Sequence, residues 1–369
     1  MIRDYNENPF IVIWEVTRAC ELKCLHCRAE AQHHRHPLEL STEEGKQLID
    51  QIYEMDNPLF VFTGGDPLMR PDLYEIAEYA IKKGVRVSMT PSATPLVTKE
   101  AIQKAKEIGL SRWAFSLDGP NAKIHDHFRG TSGSFDLTMN AINYLNELEI
   151  PIQINTTVSN YNLDHLDEMA VLVEKLNAVL WSVFFLVPTG RGKETDIISP
   201  EQHEEVLHWL YDISKRAPFD IKTTEAHHYR RVILQQSKKE KRNQKRVANP
   251  LTGRIPDHSA ALGRAPSGIR DGNGFVFISH IGEVYPSGFL PIKCGNIRKT
   301  PLAEIYRNHP VFKELRNPDA YKGKCGVCEF RNICGGSRAR AYAVTGDYME
   351  SEPYCTYIPK HYKKQQLVT

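Results

Sequence analysis

The sequence predicts an α/β protein with a mainly parallel sheet and a smaller carboxy-terminal module. Between residues 11 and 187, six short runs of β-type residues alternate with segments of helical period. Each strand and helix unit takes about 30 residues, the length of a parallel strand pair with a right-handed helical crossover. This periodicity fits a doubly wound sheet and a barrel equally well, and in both folds function is expected at the carboxyl ends of the strands.

The individual elements follow from the hydrophobic pattern. Runs rich in β-branched and aromatic residues predict strands, and apolar residues spaced three and four apart predict helices. The predicted strands are Ile11 to Val16, Leu59 to Thr63, Val85 to Met89, Arg112 to Leu117, Ile152 to Val158 and Trp181 to Val187. The predicted helices are Thr42 to Met55, Asp72 to Lys83, Lys99 to Ile108, Phe135 to Leu148 and Asp164 to Leu176.

The pattern changes after residue 187. A helix is expected over Glu201 to Lys215, and Ser237 to Asp271 then shows no period and contains the basic run KKEKRNQKR at 238–246. We interpret this segment as a mobile loop or linker and the run as a solvated face, because no aromatic residues interleave with it. A hairpin from Phe275 and a helix over Pro301 to Leu315 follow. The predicted regions are therefore a first domain at 1–215, a linker at 216–272 and a second domain at 273–369.

Composition excludes several classes of function. The chain has 369 residues, of which 41% are apolar and 25% charged, as is usual for a globular protein. Its 47 basic and 45 acidic residues give a net charge of +2, too little to indicate a nucleic-acid partner. The polar start MIRDYNENPF and the lack of a long apolar window argue against secretion or a membrane partner. We expect a cytoplasmic protein, in which clustered cysteines among the eight present are more often metal ligands or redox groups than disulfides.

The first cysteine group lies directly after the first predicted strand, in the segment TRACELKCLHCRAE. It comprises Cys20, Cys24 and Cys27, three thiolates on one short loop. A structural zinc site normally has four ligands, whereas an iron–sulfur cube held by three cysteines leaves one iron open to a substrate or cofactor. The alternatives are a zinc knuckle completed by His26 and three unrelated buried thiols.

This Cys-x3-Cys-x2-Cys spacing after a first strand resembles the radical S-adenosylmethionine (SAM) superfamily. The resemblance implies a partial (β/α)6 barrel of the TIM type over residues 1–215. It also implies a 4Fe-4S cluster on Cys20, Cys24 and Cys27, with SAM bound to the open iron. Reductive cleavage of SAM then yields a 5′-deoxyadenosyl radical, which abstracts hydrogen from a substrate. Such an oxidoreductase or lyase-type enzyme needs an electron donor such as flavodoxin or ferredoxin.

The same resemblance implies where SAM is held. Gly64 and Gly65, in the segment FTGGDP, are expected to approach the methionine amino group, because glycine has no Cβ to obstruct it. Asp66 stands where the family commonly has glutamate. Ser116 and Arg129 are expected to hold the methionine carboxylate, for which a guanidinium is a suitable bidentate partner.

Three further residues are assigned by resemblance. His26 is expected to pack near the adenine and Asn155 to face the ribose and adenine of SAM. Asp118, in the segment SLDGP, either orients its loop or meets the substrate, and a simple helix-capping role is the alternative.

The second cysteine group lies near the carboxyl end and comprises Cys325, Cys328, Cys334 and Cys355. Four thiolates complete the shell of a second 4Fe-4S cluster, and by spacing alone they also fit zinc. The stretch CGGSRARAY and the preceding hairpin and helix resemble the SPASM and twitch extensions of radical SAM enzymes. This implies a small auxiliary iron–sulfur domain at 273–369.

A departure from the full SPASM pattern predicts one auxiliary cluster rather than two. Ser287, Thr300 and Arg338 fall at or near positions where relatives have cysteine. Cys294 is then left over, and we interpret it as a small buried hydrophobic residue. Arg338 and Arg340 either place positive charge over a substrate mouth or are solvated surface residues.

Several strings, including VYPSGFLP and CGVCEFRNICGG, most resemble the branch of the superfamily that alters tetrapyrrole side chains in the heme d1 and alternative heme pathways. This suggests oxidative decarboxylation of a heme-like small molecule. The cations around His227, His228, Arg230 and Arg231 then suit propionates, although a solvated helix face is the preferred interpretation. A maturase that crosslinks or oxidises a ribosomal peptide substrate is the second hypothesis. A non-catalytic zinc or iron–sulfur protein is the third.

Overall fold

A ten-stranded sheet forms the centre of the molecule, as seen in a computed structural model that describes residues 4–110, 112–244 and 269–362. The strands run in the order β10-β9-β8-β1-β2-β3-β4-β5-β6-β7. Their bounds are β1 Ile11–Glu15, β2 Leu59–Thr63, β3 Val87–Met89, β4 Trp113–Ser116, β5 Ile152–Val158, β6 Leu180–Phe185, β7 Asp220–Thr224, β8 Phe275–Ile278, β9 Glu283–Tyr285 and β10 Gly295–Asn296.

Helices connect the parallel strands and cover their outer face. The helices of the amino-terminal part are α1 Thr42–Glu54, α2 Leu73–Lys82, α3 Lys99–Glu107, α4 Ala122–Arg129, α5 Ser134–Glu147, α6 Leu166–Lys175, α7 Pro200–Ser214 and α8 Tyr229–Gln244. Those of the carboxy-terminal part are α9 Leu302–Asn308, α10 Pro310–Leu315, α11 Gly323–Gly326 and α12 Arg338–Thr345. No helix among the described residues is long and apolar enough to cross a membrane.

The strand sequences explain the two faces of the sheet. In β5 buried and half-buried residues alternate strictly, so one face packs on the helices and the other faces the interior of the curved sheet. Helix α1 begins with a capping box in which the Ser41 hydroxyl accepts from the Glu44 N–H and the Glu44 carboxylate accepts from the Ser41 N–H. Its apolar side packs on β1, where a Cβ on Gly45 would lie 2.8 Å from the Trp14 ring.

The architecture is the predicted α/β fold with parallel strands, and the barrel is partial. All six predicted strands are present, and Leu59–Thr63 and Ile152–Val158 have the predicted bounds. Strands β7 and β10 form the two ends of the sheet, so the sheet itself does not close the barrel.

One strand and one helix lie where a linker was expected. Strand β7 pairs in parallel with β6, and α8 extends the helical layer through Gln244. The sequence DIKTT escaped prediction because it is short and polar, and all five residues are only half buried. Part of the expected loop, Ser237 to Gln244, is helical, and the stretch 245–268 lies outside the described residues.

The carboxy-terminal part is joined to the barrel through the sheet. Strand β8 pairs in parallel with β1, with Ile11 opposite Phe275 and Trp14 opposite Ile278. Strands β9 and β10 then continue the sheet antiparallel. The wall of the barrel therefore includes residues from both ends of the chain, and the region boundaries at 215 and 272 stay predictions.

Candidate functional site

The first cysteine loop leaves the carboxyl end of β1 and is fastened at both of its ends. The Cys20 N–H donates to the Gln32 carbonyl at 2.7 Å, and the Gln32 N–H donates to the Arg18 carbonyl at 3.0 Å. Cys20 and Cys24 are buried and Cys27 is half buried. Peptide N–H groups point at two of the sulfurs, from Leu22 to Cys20 Sγ and from Ala31 to Cys27 Sγ, each at 3.4 Å.

The glycine pair after β2 lies directly under this loop. A Cβ on Gly64 would be 2.4 Å from the Thr17 carbonyl oxygen, and one on Gly65 would be 2.3 Å from the Ala19 carbonyl oxygen. The N–H groups of Gly65 and Asp66 donate to these same carbonyls at 2.8 and 2.7 Å. The close approach of two backbones therefore requires glycine here before any ligand is considered, and the contact with the methionine amino group stays a prediction.

Asp66 is fully buried beside the cysteine loop. One carboxylate oxygen accepts from the Thr94 hydroxyl at 2.8 Å and the other from the Leu68 N–H at 3.2 Å. Burial outweighs these hydrogen bonds and raises the pKa of Asp66 to about 6. Burial also raises the pKa of the Cys20 thiol to about 11.

Two polar residues after β3 belong to this site, and the sequence analysis did not single them out. The Ser92 hydroxyl donates to the Gly65 carbonyl at 2.9 Å and lies 3.4 Å from Cys20 Sγ. Thr94 donates to Asp66. Their signal in the sequence was their place after a predicted strand, where an α/β fold puts its functional residues.

Arg129 ends α4 between an acid and a cluster cysteine. Its Nη1 donates to Cys24 Sγ at 3.4 Å, and its Nε lies 3.1 Å from Asp118 Oδ2. Asp118 also accepts from the Thr157 N–H at 2.7 Å, so it ties Arg129 to β5. Burial raises the pKa of Asp118, while Asp118 is the main cause that raises the pKa of Arg129 despite burial. Asp118 therefore orients Arg129 within the fold.

The remaining predicted SAM residues take separate places around the loop. The His26 ring stacks on Phe128 with centroids 4.0 Å apart, and burial lowers its pKa well below the usual range, so the ring is neutral. Ser116 and Asn155 are register partners on β4 and β5. Asn155 accepts from the Gln153 amide at 2.7 Å. The roles of His26, Ser116, Arg129 and Asn155 toward SAM stay predictions.

The interior of the partial barrel holds a cavity of about 200 Å³. Its wall is largely apolar and aromatic, and Asn155 contributes to it from β5. Cationic side chains also line it, among them Arg28, which follows Cys27 in the chain, lies over the Phe277 ring at 4.5 Å and pairs with Glu15 at 3.1 Å. The cavity is therefore next to the first cysteine loop.

The second group of cysteines lines one pocket. Cys325, Cys328, Cys334 and Cys355 share this pocket with His228 and Arg231. N–H groups point at three of the sulfurs: Glu352 at Cys325 (3.3 Å), Phe330 at Cys328 (3.4 Å) and Gly336 at Cys334 (3.4 Å). Gly336 has φ +67, and a Cβ there would lie 2.7 Å from the Arg338 guanidinium, so glycine is required.

Arg338 and Arg340 are fully buried, which corrects both sequence-based interpretations of them. Arg338 Nη2 contacts Cys325 Sγ at 3.5 Å, and its Nη1 donates to the Glu350 carbonyl at 2.7 Å. Arg340 pairs with the buried Glu352 at 3.2 Å and donates to the Glu225 carbonyl at 2.7 Å. These cations support the second cysteine site, and neither faces solvent or a substrate mouth.

At the start of α8, His227, His228 and Arg231 are buried, so the solvated helix face was the wrong interpretation. His227 Nδ1 is 3.0 Å from the Gly336 carbonyl, and Arg230 donates to the Ile333 and Ile269 carbonyls at 3.0 and 2.7 Å. Arg231 is buried and pairs with Glu204. Sequence pattern missed this burial because the covering residues come from a segment about a hundred positions later.

The donor sets of both sites fit iron–sulfur clusters. Thiols with N–H groups directed at sulfur are the usual protein environment of such clusters. Three thiols near the strand ends leave room for an outside ligand, and four thiols in the second pocket complete a shell. In the described ranges, no group of three or more His, Cys, Asp or Glu side chains is arranged to hold a single metal ion. Cys294 is buried apart in the core.

The fold and the two cysteine sites define an iron–sulfur enzyme built on a partial barrel, and comparison with known proteins agrees. The Radical SAM superfamily matches residues 14–173, and an SPASM iron–sulfur cluster-binding domain matches residues 270–329. The chain is 43% identical to the AdoMet-dependent heme synthase of Methanosarcina barkeri, across 95% of this chain and 97% of that one. It is 45% identical to the enzyme of the same name from Nitratidesulfovibrio vulgaris, across 95% and 93%.

Among solved structures, Streptococcus suis SuiB bound to S-adenosylmethionine shares the fold, with a TM-score of 0.71 at 15% identity. The match covers 95% of this chain and 78% of that one. The chain belongs to the radical SAM superfamily. It uses SAM and a 4Fe-4S cluster to generate a 5′-deoxyadenosyl radical, and its carboxy-terminal domain carries an auxiliary iron–sulfur cluster.

Proposed function

We propose that this enzyme decarboxylates propionate side chains of an iron-containing tetrapyrrole to vinyl groups. The observation that carries the proposal is identity of 43% and 45%, over nearly the whole chain, to two proteins named AdoMet-dependent heme synthase. An aromatic cavity with cations in its wall supports it, because a porphyrin presents flat apolar faces and carboxylates at its edge.

The chemistry balances with one SAM for each propionate. The 5′-deoxyadenosyl radical takes a hydrogen atom from the side-chain carbon next to the pyrrole and becomes 5′-deoxyadenosine. The carboxylate then leaves as CO₂, a carbon–carbon double bond forms, and one electron is released to an acceptor. The four-cysteine site suits an electron acceptor, because four protein thiolates leave no open position for substrate.

The chain's own residues have separate tasks in this proposal. Cys20, Cys24 and Cys27 hold the SAM-binding cluster, with Arg129 and Asp66 beside it. Cys325, Cys328, Cys334 and Cys355 hold the auxiliary cluster. A flavodoxin or ferredoxin is the proposed electron donor, and neither nucleic acid nor a membrane is a proposed partner.

The test is anaerobic reconstitution with iron and sulfide, followed by dithionite, SAM and iron coproporphyrin III, which carries four propionates. We expect about eight irons per chain, 5′-deoxyadenosine, and a porphyrin that has lost CO₂ and two hydrogens per converted side chain by mass spectrometry. The Cys24→Ala variant should form neither product.

The same assay separates the competing hypotheses. If 5′-deoxyadenosine forms while the porphyrin stays unchanged, the result contradicts the proposal and favours a peptide substrate. The Cys325→Ser variant is the matched control for the second site: we expect SAM cleavage to persist while porphyrin conversion falls, because only the auxiliary cluster is affected.

A further inference from the structure

The barrel cavity is lined by three cationic side chains and, among the described residues, by no carboxylate. The cations are Arg28, Arg112 and Lys222. Arg28 is neutralised by Glu15 at 3.1 Å. Arg112 precedes β4 and therefore lies toward the amino-terminal end of the barrel, away from the cysteine loop. Lys222 lies in the middle of β7, and it has neither the ion pair of Arg28 nor the position of Arg112 at the amino-terminal end of the barrel.

Lys222 belongs to the same interior row as the predicted SAM residues. Lys222 lies opposite Ser182 of β6, and Ser182 lies opposite Asn155 of β5. Asn155 in turn lies opposite Ser116 of β4. Adjacent strands lie about 4.8 Å apart, so the Lys222 backbone is roughly 10 Å from that of Asn155. The Lys222 side chain lines the same cavity as Asn155 and Arg28, the residue that follows Cys27.

The ammonium group of Lys222 has no hydrogen bond or ion pair with any described residue. Desolvation and the nearby Arg230 guanidinium both disfavour its charge and lower the pKa of Lys222. Lys222 is half buried and lines the cavity, and an incompletely solvated cation without a counterion is unfavourable in a folded protein. The cost is offset when an anionic ligand enters the cavity and supplies the missing partner.

The surrounding wall indicates what kind of anion this is. Phe184 and Phe289 lie with ring centroids 6.3 Å apart, and Phe277 also lines the cavity. Flat aromatic walls with a single lysine suit an aromatic or macrocyclic ligand that ends in a carboxylate, rather than a fully hydrated inorganic anion.

We propose that Lys222 binds a carboxylate group of the substrate inside the barrel. This inference rests on the function proposed above and names the residue that recognises a propionate. Lys222 takes the role that the sequence analysis considered for Arg230 and Arg231, whose guanidinium groups bind backbone carbonyls and Glu204 instead. Lys222 thereby places the side chain that it binds, or the one next to it, in front of the SAM site.

The test measures porphyrin binding without turnover, in cluster-loaded protein lacking reductant. Iron coproporphyrin III and its tetramethyl ester are titrated while the change in porphyrin absorption is followed. Lys222→Met keeps the length and apolar stem of the side chain and removes only the charge. We expect the Kd for the acid to rise roughly ten- to a hundredfold, the usual range for a charge-assisted hydrogen bond, and the Kd for the ester to stay the same.

Two further variants complete the design. Lys222→Arg restores a cation and should recover part of the affinity for the acid. Lys82→Met removes an exposed lysine of α2 that pairs with Glu78, and should change neither Kd. Iron content and thermal midpoint of each variant show that the fold and both clusters are intact.

The outcomes distinguish this inference from the proposed function. If the parent converts the porphyrin and Lys222→Met binds the acid as tightly as the parent does, only the inference is overturned. If Lys222→Met weakens acid and ester equally, the lysine acts through packing and the inference is again overturned. If the parent neither binds nor converts the porphyrin, the proposed function fails, and the inference fails with it.

Discussion

At the scale of single residues, Asp66 illustrates how burial beside a cofactor site costs stability. Its folded pKa of about 6 lies above the ordinary value of 3.8, so the neutral acid is the form that the fold favours. At pH values below about 4 the carboxyl group is neutral in both the folded and the unfolded chain, and the free energy of unfolding is at its highest. As pH rises through about 6, the buried group ionises and the free energy of unfolding falls by about 3 kcal/mol.

Replacing Asp66 by asparagine removes the ionisable group and keeps the shape. In the cluster-free protein we expect Asp66→Asn to be more stable than the parent at pH 7.5, by up to about 3 kcal/mol, and the gain to shrink toward pH 4.5. Denaturant unfolding at several pH values checks this. A difference that is the same at every pH would show that Asp66 does not titrate in this range.

Gly65 makes a second prediction at this scale. A methyl group at this position meets the Ala19 carbonyl oxygen at 2.3 Å and the Arg18 carbonyl oxygen at 2.7 Å, and neither backbone atom can move without shifting the cysteine loop. We expect Gly65→Ala to lose the iron of the first cluster. Gly133→Ala is the control for backbone strain without a clash: alanine is disfavoured there by a φ of +80, but a Cβ meets nothing within 4 Å, so we expect the first cluster to keep its iron. Equal iron content in both variants would contradict the argument.

At the scale of elements, the sequence predicted what depends on local pattern. The first six strands were found from apolar runs such as LFVFT. The cysteine spacing together with the family resemblance predicted two iron–sulfur sites, and the assignment of their individual ligands stays a prediction. Strand β7 was missed because DIKTT is polar and pairs only with β6 at the edge of the sheet. Burial of Arg338, Arg340 and Arg231 was also missed, since it arises from contacts between segments far apart in the chain.

The link between α8 and the second cysteine site is testable. Arg230 donates to the carbonyls of Ile333 and Ile269, and the first of these directly precedes Cys334. Removing this half-buried guanidinium leaves the two carbonyls without their donor, at a cost of roughly 2 kcal/mol. We expect Arg230→Met to lose the auxiliary cluster, with iron falling from about eight to about four per chain, while SAM cleavage persists.

The exposed Arg216, just past α7, is the matched control for this variant. Arg216→Met should keep all of its iron. An Arg230→Met protein that retains both clusters, judged by iron content and by electron paramagnetic resonance of the reduced protein, would show that α8 does not support the second site.

At the scale of the whole molecule, the two ends of the chain share one wall. Strand β8 completes β1, His280 Nδ1 lies 2.8 Å from Glu15, and Arg298 forms an ion pair with Glu44 of α1. Glu15 in turn pairs with Arg28 of the first cysteine loop. The carboxy-terminal domain is thus connected to the SAM-binding loop through β1, in addition to carrying its own cluster.

A chain that ends at residue 244 should therefore fail to behave as an independent radical SAM domain. The truncated chain keeps the pairing of β1 with β2 but loses β8 on the other side of β1, and the exposed strand edge favours aggregation. The truncation also removes His280, so Glu15 keeps Arg28 as a partner and loses the second of the two side chains described above. We expect such a truncated chain to be aggregation-prone and to hold much less than four irons after reconstitution. Full-length Cys325→Ser, which loses only the auxiliary cluster, should stay monodisperse with about four irons. A monodisperse truncated chain with four irons that cleaves SAM would show that β1 and its loop fold without β8.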